Sequence, residues 1–90
     1  MTMADMNHLS DEELKHVSGG MLFDATGKEE CDPQNPWEVL NNDNCSIIAR
    51  FPNRKAAADW VTSKFGTYSY NAQVVDWDTV QRLRKNPNTY

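Results

Sequence analysis

The sequence predicts a small α+β domain, a sheet of two to three strands packed with two helices and preceded by a short mobile helix. Three observations lead there. Residues 45–51 and 67–75 alternate apolar and polar side chains at the period of a strand. Residues 54–65, and the stretch between Asp76 and Pro87, instead place apolar groups at helical spacing behind good caps. Ninety residues make one domain at most, so these elements share one core.

The first helix is read from Ser10 onward. Ser10 is an N-cap, and Glu13 three residues later completes a capping box. Leu9 and Leu14 are spaced for a hydrophobic staple. Asp11, Glu12 and Glu13 lie at the positive end of the helix dipole. Leu14 and Val17 share a face, and Gly19 ends the helix. Two turns are marginal alone in water. The helix is expected to fray when free and to order when a groove covers its apolar stripe.

These residues resemble a known pattern. Leu9-Ser10, Glu13-Leu14, Val17 and Gly19-Gly20 look like the double-glycine leader of bacteriocin and microcin precursors. Counting back from the bond after Gly20, Val17, Leu14, Leu9 and Met6 stand at the fourth, seventh, twelfth and fifteenth positions. The family uses those positions to dock on the peptidase domain of an ABC exporter. The resemblance implies recognition through Met6, Leu9, Glu13, Leu14 and Val17, and cleavage after Gly19-Gly20. The paired glycines fit a narrow cleft because neither carries a side chain. The resemblance covers residues 1–20. It implies a cytoplasmic precursor, secreted after removal of the leader.

Residues 21–36 read as a linker or irregular arm. Gly27, Pro33 and Pro36 argue against a helix there. Residues 37–90 read as the compact α+β cargo. Residues 37–40 make a short strand, and Asn41-Asn42-Asp43-Asn44 is a turn, because Asn and Asp tolerate positive φ. Along 45–51, Cys45, Ile47, Ala49 and Phe51 face one way and Ser46, Ile48 and Arg50 the other. Asn53 caps a helix over 54–65, whose stripe is Ala57, Trp60, Val61, Lys64 and Phe65, and Gly66 ends it. Residues 67–75 form another strand, with Tyr68, Tyr70, Ala72 and Val74 on one face. Asp76 or Asp78 caps a last helix carrying Trp77, Val80 and Leu83, and Pro87 stops it. A strand, a helix and a strand in succession suggest a βαβ crossover, with antiparallel pairing as the alternative. The expected core is Trp37, Ile47, Ile48, Phe51, Trp60, Val61, Phe65, Val74, Trp77, Val80 and Leu83, with the tryptophans supplying much of the burial.

Cys31 and Cys45 are the only cysteines. In a small exported domain an even count points to a disulfide. Closing that loop would stabilise by about 3 kcal/mol. No metal site or cofactor is expected, because both histidines, His8 and His16, lie in the leader-like segment. No catalytic residues are expected either. Beyond residue 20 there is no histidine to act as a base, and no Gly-rich phosphate loop.

Charge narrows the partners. Residues 1–20 carry a net −3 and residues 21–90 a net −1, while 49–90 carry +4. That is too weakly basic for a nucleic-acid binder. No apolar run reaches the roughly 18–20 residues of a membrane span, and residues 1–20 lack the basic start and apolar stretch of a secretory signal. Three functions fit. The first is a bacteriocin-like precursor exported by a peptidase-containing ABC exporter, its cargo acting on an unknown target protein or receptor. The second is a precursor whose Ser and Thr side chains form thioether rings with Cys31 and Cys45. The third is a small intracellular protein-binding or immunity-type module whose N-terminal helix is structural.

Overall fold

The computed structural model describes residues 12, 15, 17, 19–66 and 73–87. Strand β1 is Gly20–Asp24, β2 Trp37–Asn41 and β3 Ile47–Phe51. Helix α1 is Arg54–Phe65 and α2 is Trp77–Lys85. The strands form one antiparallel sheet in the order β1-β2-β3, so the α+β class holds. The first strand is one the sequence reading did not contain. Residues 21–24, expected to belong to the linker, are strand, because they pair with β2 and bury Leu22 and Phe23 on opposite faces of the sheet. The rest of that stretch, 25–36, is an irregular connection. It is stitched by Lys28 N–H donating to Ala25 O, Cys31 N–H to Lys28 O and Asn35 N–H to Asp32 O.

The sheet is covered on both faces. On one face α1 lays Ala57 and Val61 against Leu22, Val39, Ile48 and Ala49. On the other, Val80 and Leu83 of α2 join Phe23, Ala25, Leu40 and Cys45. A strand buried on both sides needs apolar residues at successive positions. Leu22-Phe23 and Val39-Leu40 supply them. β3 meets the same demand with a bulge. Val39 pairs with Ala49, but Leu40 pairs with Ile47, leaving Ile48 as the extra residue. Ile48 and Ala49 therefore both serve the α1 face, while Ile47 packs on the α2 side. The simple alternation expected for 45–51 breaks at this point.

The caps follow the sequence. Asn53 Oδ1 accepts from Ala56 N–H at 2.8 Å, and Gly66 ends α1 at φ 102°. Asp76 Oδ1 accepts from Thr79 N–H at 2.9 Å at the start of α2. Each such cap is worth about 1 kcal/mol. In the 41–44 turn, Asn41 and Asn44 accept from Asp43 and Ser46 N–H groups. The positive φ falls on Cys45 (58°) instead of an Asn. That conformation costs a non-glycine residue about 1–2 kcal/mol, and the buried thiol is held there by its own packing.

Residues 73–75 lie along the edge of β1 away from β2. Leu22 N–H donates to Gln73 O and Val75 N–H to Leu22 O, both at 2.9 Å, a parallel bridge between Leu22 and Val74. Residues 67–72 of the expected strand lie outside the described residues. β1 is thus an interior strand. Val74, expected in the core, is 40% exposed, and Trp37, Trp60 and Trp77 are only half-buried. Aliphatic residues take the centre instead: Leu22, Val39, Leu40, Ile48, Val61 and Val80. The rings pack around it, with Phe51–Trp60 and Phe23–Trp77 centroids both 5.6 Å apart. Among the described residues no helix is long and apolar enough to cross a membrane.

Candidate functional site: the Gly-Gly junction and a buried acid pair

Of the expected recognition residues, Met6, Leu9, Glu13 and Leu14 lie outside the described residues. Val17 is half-buried and packs against the α1-side cluster. Gly19 and Gly20 are buried. Gly19 O accepts from Asn42 N–H at 3.1 Å, and Gly20 and Met21 pair with Asn41 and Leu40. The sequence implied that residues 1–20 stand clear of the domain. Val17, Gly19 and Gly20 do not: Gly20 opens β1, Gly19 is bonded to Asn42, and Val17 packs on the α1-side cluster.

Gly20 has a steric role of its own. A Cβ built there lies 2.5 Å from Val39 Cγ1 and 3.5 Å from both Ile48 Cδ1 and Phe65 Cε2. A contact below 3.0 Å forces something to move, so β1 and β2 come together here because residue 20 has no side chain.

A second constellation lies on the opposite side of the sheet. Glu38 of β2 pairs in register with Arg50 of β3, and its side chain is fully buried. Arg50 Nε stands 3.7 Å from Glu38 Oε2, an ion pair too long for a hydrogen bond. Glu30 comes in from the 25–36 connection, and Arg84 of α2 grips it with two N–H groups, Nη2 to Oε2 at 3.0 Å. Arg84 Nε also donates to Cys45 O at 3.1 Å.

Burial, followed by the neighbouring Glu30 carboxylate, pushes Glu38 up to about 8. The Arg84 hydrogen bonds hold Glu30 down at about 2. As a carboxylate, Glu38 finds no hydrogen-bond donor for either oxygen. Protonated, it can donate to Glu30 beside it. Burial and the Glu30 carboxylate thus favour the protonated form of Glu38, while Arg84 favours the ionised form of Glu30. This arrangement ties the 25–36 connection to the sheet and to α2. Arg84 also lies 5.9 Å from the Trp77 ring centroid, and Lys28 Nζ lies 5.3 Å from it.

Cys31 and Cys45 are both free, so the expected disulfide is not formed in this structure. Both border the α2-side cluster, Cys45 inside it and Cys31 packed against it. Burial pushes the Cys45 thiol up from its ordinary range, which makes it a core side chain before it is a reactive one. Among the described residues no three His, Cys, Asp or Glu side chains gather as a metal site would require.

Sequence reasoning did not bring Glu30, Glu38, Arg50 and Arg84 together. One signal was present: Glu38 is the lone acid in the apolar run Trp37-Glu38-Val39-Leu40. A charge inside such a strand needs a cation across from it, and Arg50 is the matching break in Ile47-Ile48-Ala49-Arg50-Phe51. No known protein family, curated protein or solved structure matches the chain.

Proposed function

We propose that the chain is the precursor of an exported, bacteriocin-like protein. Residues 1–20 are the leader, docked through Met6, Leu9, Glu13, Leu14 and Val17 on the peptidase domain of an ABC exporter and removed after Gly20. Residues 21–90 are the cargo. One observation carries this reading: the sheet begins at the Gly pair. The three strands of the sheet and the helices α1 and α2, apart from Gly20 itself, lie on the Met21 side of the expected cleavage point. Cutting there would release a whole domain. The product is a folded protein with an aliphatic core, which favours action on a protein target or receptor over insertion into a membrane. Export would take Cys31 and Cys45 into an oxidising compartment, where a bridge between them is part of the same proposal. A thioether-modified product draws less support, because Cys45 is sealed in the core.

A second reading rests on Val17 and Gly20. Both are packed into the domain, as a structural N-terminal segment of a small protein-binding or immunity-type module would be. Mass spectrometry of the chain recovered outside and inside the producing cell separates the two. The leader reading expects an external product that starts Met21-Leu22-Phe23, lighter by two hydrogens if the cysteines are bridged. An intact chain retained in the cytoplasm overturns it.

A further inference from the structure

The Gly pair is asked to fit two places. Under the leader reading it fits the cleft of a peptidase, and in the fold it fits against β2. The same backbone serves both. Gly19 O is occupied by Asn42 N–H, Gly20 and Met21 are paired with Asn41 and Leu40, and Leu22 is bonded on its other edge to Gln73 and Val75. Gly19 and Gly20 are buried, and Val17 leans on the α1-side cluster. A peptidase binds its substrate as an extended strand and needs those backbone groups unpaired. It also needs the Gly20 slot that Val39 already fills to within van der Waals contact.

We propose that the fold itself regulates processing: the Gly20–Met21 bond is cut only in chains whose β1 is unpaired, so the folded precursor is a closed substrate. The inference rests on the leader reading given above. The step is a hydrolysis. Water adds across the amide, leaving a carboxylate on Gly20 and an amine on Met21. Its rate in the full chain then follows the fraction of molecules in which β1 is open. Freeing β1 means parting it from β2 on one edge and from the bridge at Val74 on the other, so that fraction is small. The peptidase acts before the domain closes, and a domain that closes first keeps its leader.

The test uses the purified peptidase domain of an exporter that processes double-glycine precursors, with three substrates. These are a peptide of residues 1–26, the folded full chain, and the full chain carrying Val80→Asp. Val80 is fully buried on the face away from Val17, so the variant unfolds the domain and leaves the leader untouched. Loss of near-ultraviolet circular dichroism verifies the unfolding. The peptide and the Val80→Asp chain should be cut after Gly20 at similar rates, and the folded chain at least about a hundredfold more slowly. Equal rates for peptide and folded chain overturn the regulation and leave the leader in place. An unfolded Val80→Asp chain that is cut as slowly as the native one also overturns it. A peptide that is not cut after Gly20 removes the leader reading, and this inference with it.

Discussion

Replacing Glu38 by Gln should change how the stability of this protein depends on pH. Gln keeps the shape of the side chain and cannot ionise. In the folded state the Glu30–Glu38 pair holds one proton between about pH 2 and about pH 8. In the unfolded chain both carboxyls titrate near 4.5. Between pH 4.5 and about 8 the folded state therefore binds one more proton than the unfolded state, and stability falls as pH rises. Below 4.5 the sign reverses. The folded pair binds one proton fewer, and stability falls as pH drops toward 2. Each pH unit in the upper window is worth about 1.4 kcal/mol. From pH 5 to pH 8 the native protein should lose up to about 4 kcal/mol through this pair. Glu38 has no exposed side-chain surface, so solvent does not screen the effect away. In Glu38→Gln the upper slope should vanish, while Glu30 still protects the acid side. Urea denaturation at intervals from pH 5 to pH 8 measures both proteins side by side. The native midpoint should fall across that range and the variant's should stay level. Every other titrating group is common to the two proteins, so parallel profiles would refute this reasoning.

Arg84→Met keeps the side-chain stem and removes the guanidinium. It should cost about 1–3 kcal/mol in denaturant melts, from the lost grip on Glu30 and the undonated Cys45 carbonyl, and should return Glu30 from about 2 toward the ordinary carboxylate range in a carbon-13 titration. Asn53→Ala removes the acceptor for Ala56 N–H at the start of α1. It should lower stability by about 1 kcal/mol, seen as a fall in melting temperature of about 4–8 °C for a domain of this size.

Local grammar carried much of this fold into the sequence. Asn53, Gly66 and Asp76 cap by short-range hydrogen bonds or backbone freedom, so the limits of α1 are legible one residue at a time and the start of α2 to a choice between Asp76 and Asp78, of which Asp76 is the cap. β1 is different. Gly20-Met21-Leu22-Phe23-Asp24 shows no alternation, because both of its faces are buried, and it sits between a helix-stopping glycine and a run of turn formers. Its strand character comes from β2 on one edge and Val74 on the other, neither of which is near in sequence. The bulge at Ile48 is hidden for a related reason: only the second covered face requires it. The Gly pair was legible as a motif, whereas its packing under Val39 was not, since that depends on how closely two strands approach. The acid pair was missed because Glu30, Glu38, Arg50 and Arg84 come from four separate segments.

Strand β1 is synthesised before β2 and β3, yet one of its edges is closed only much later. β2 can pair with it, and β3 with β2, soon after they are made, but the other edge of β1 waits for Gln73 and Val75. At about 5–20 residues per second, the roughly fifty residues between them take on the order of 3–10 s to assemble. Throughout that interval one side of β1 carries bare N–H and C=O groups, a template for any extended chain nearby. The order of synthesis thus acts as a clock. For several seconds a growing chain is open to capture along that edge, by a transporter, a chaperone or another copy of itself, and arrival of the last strand segment ends the opportunity.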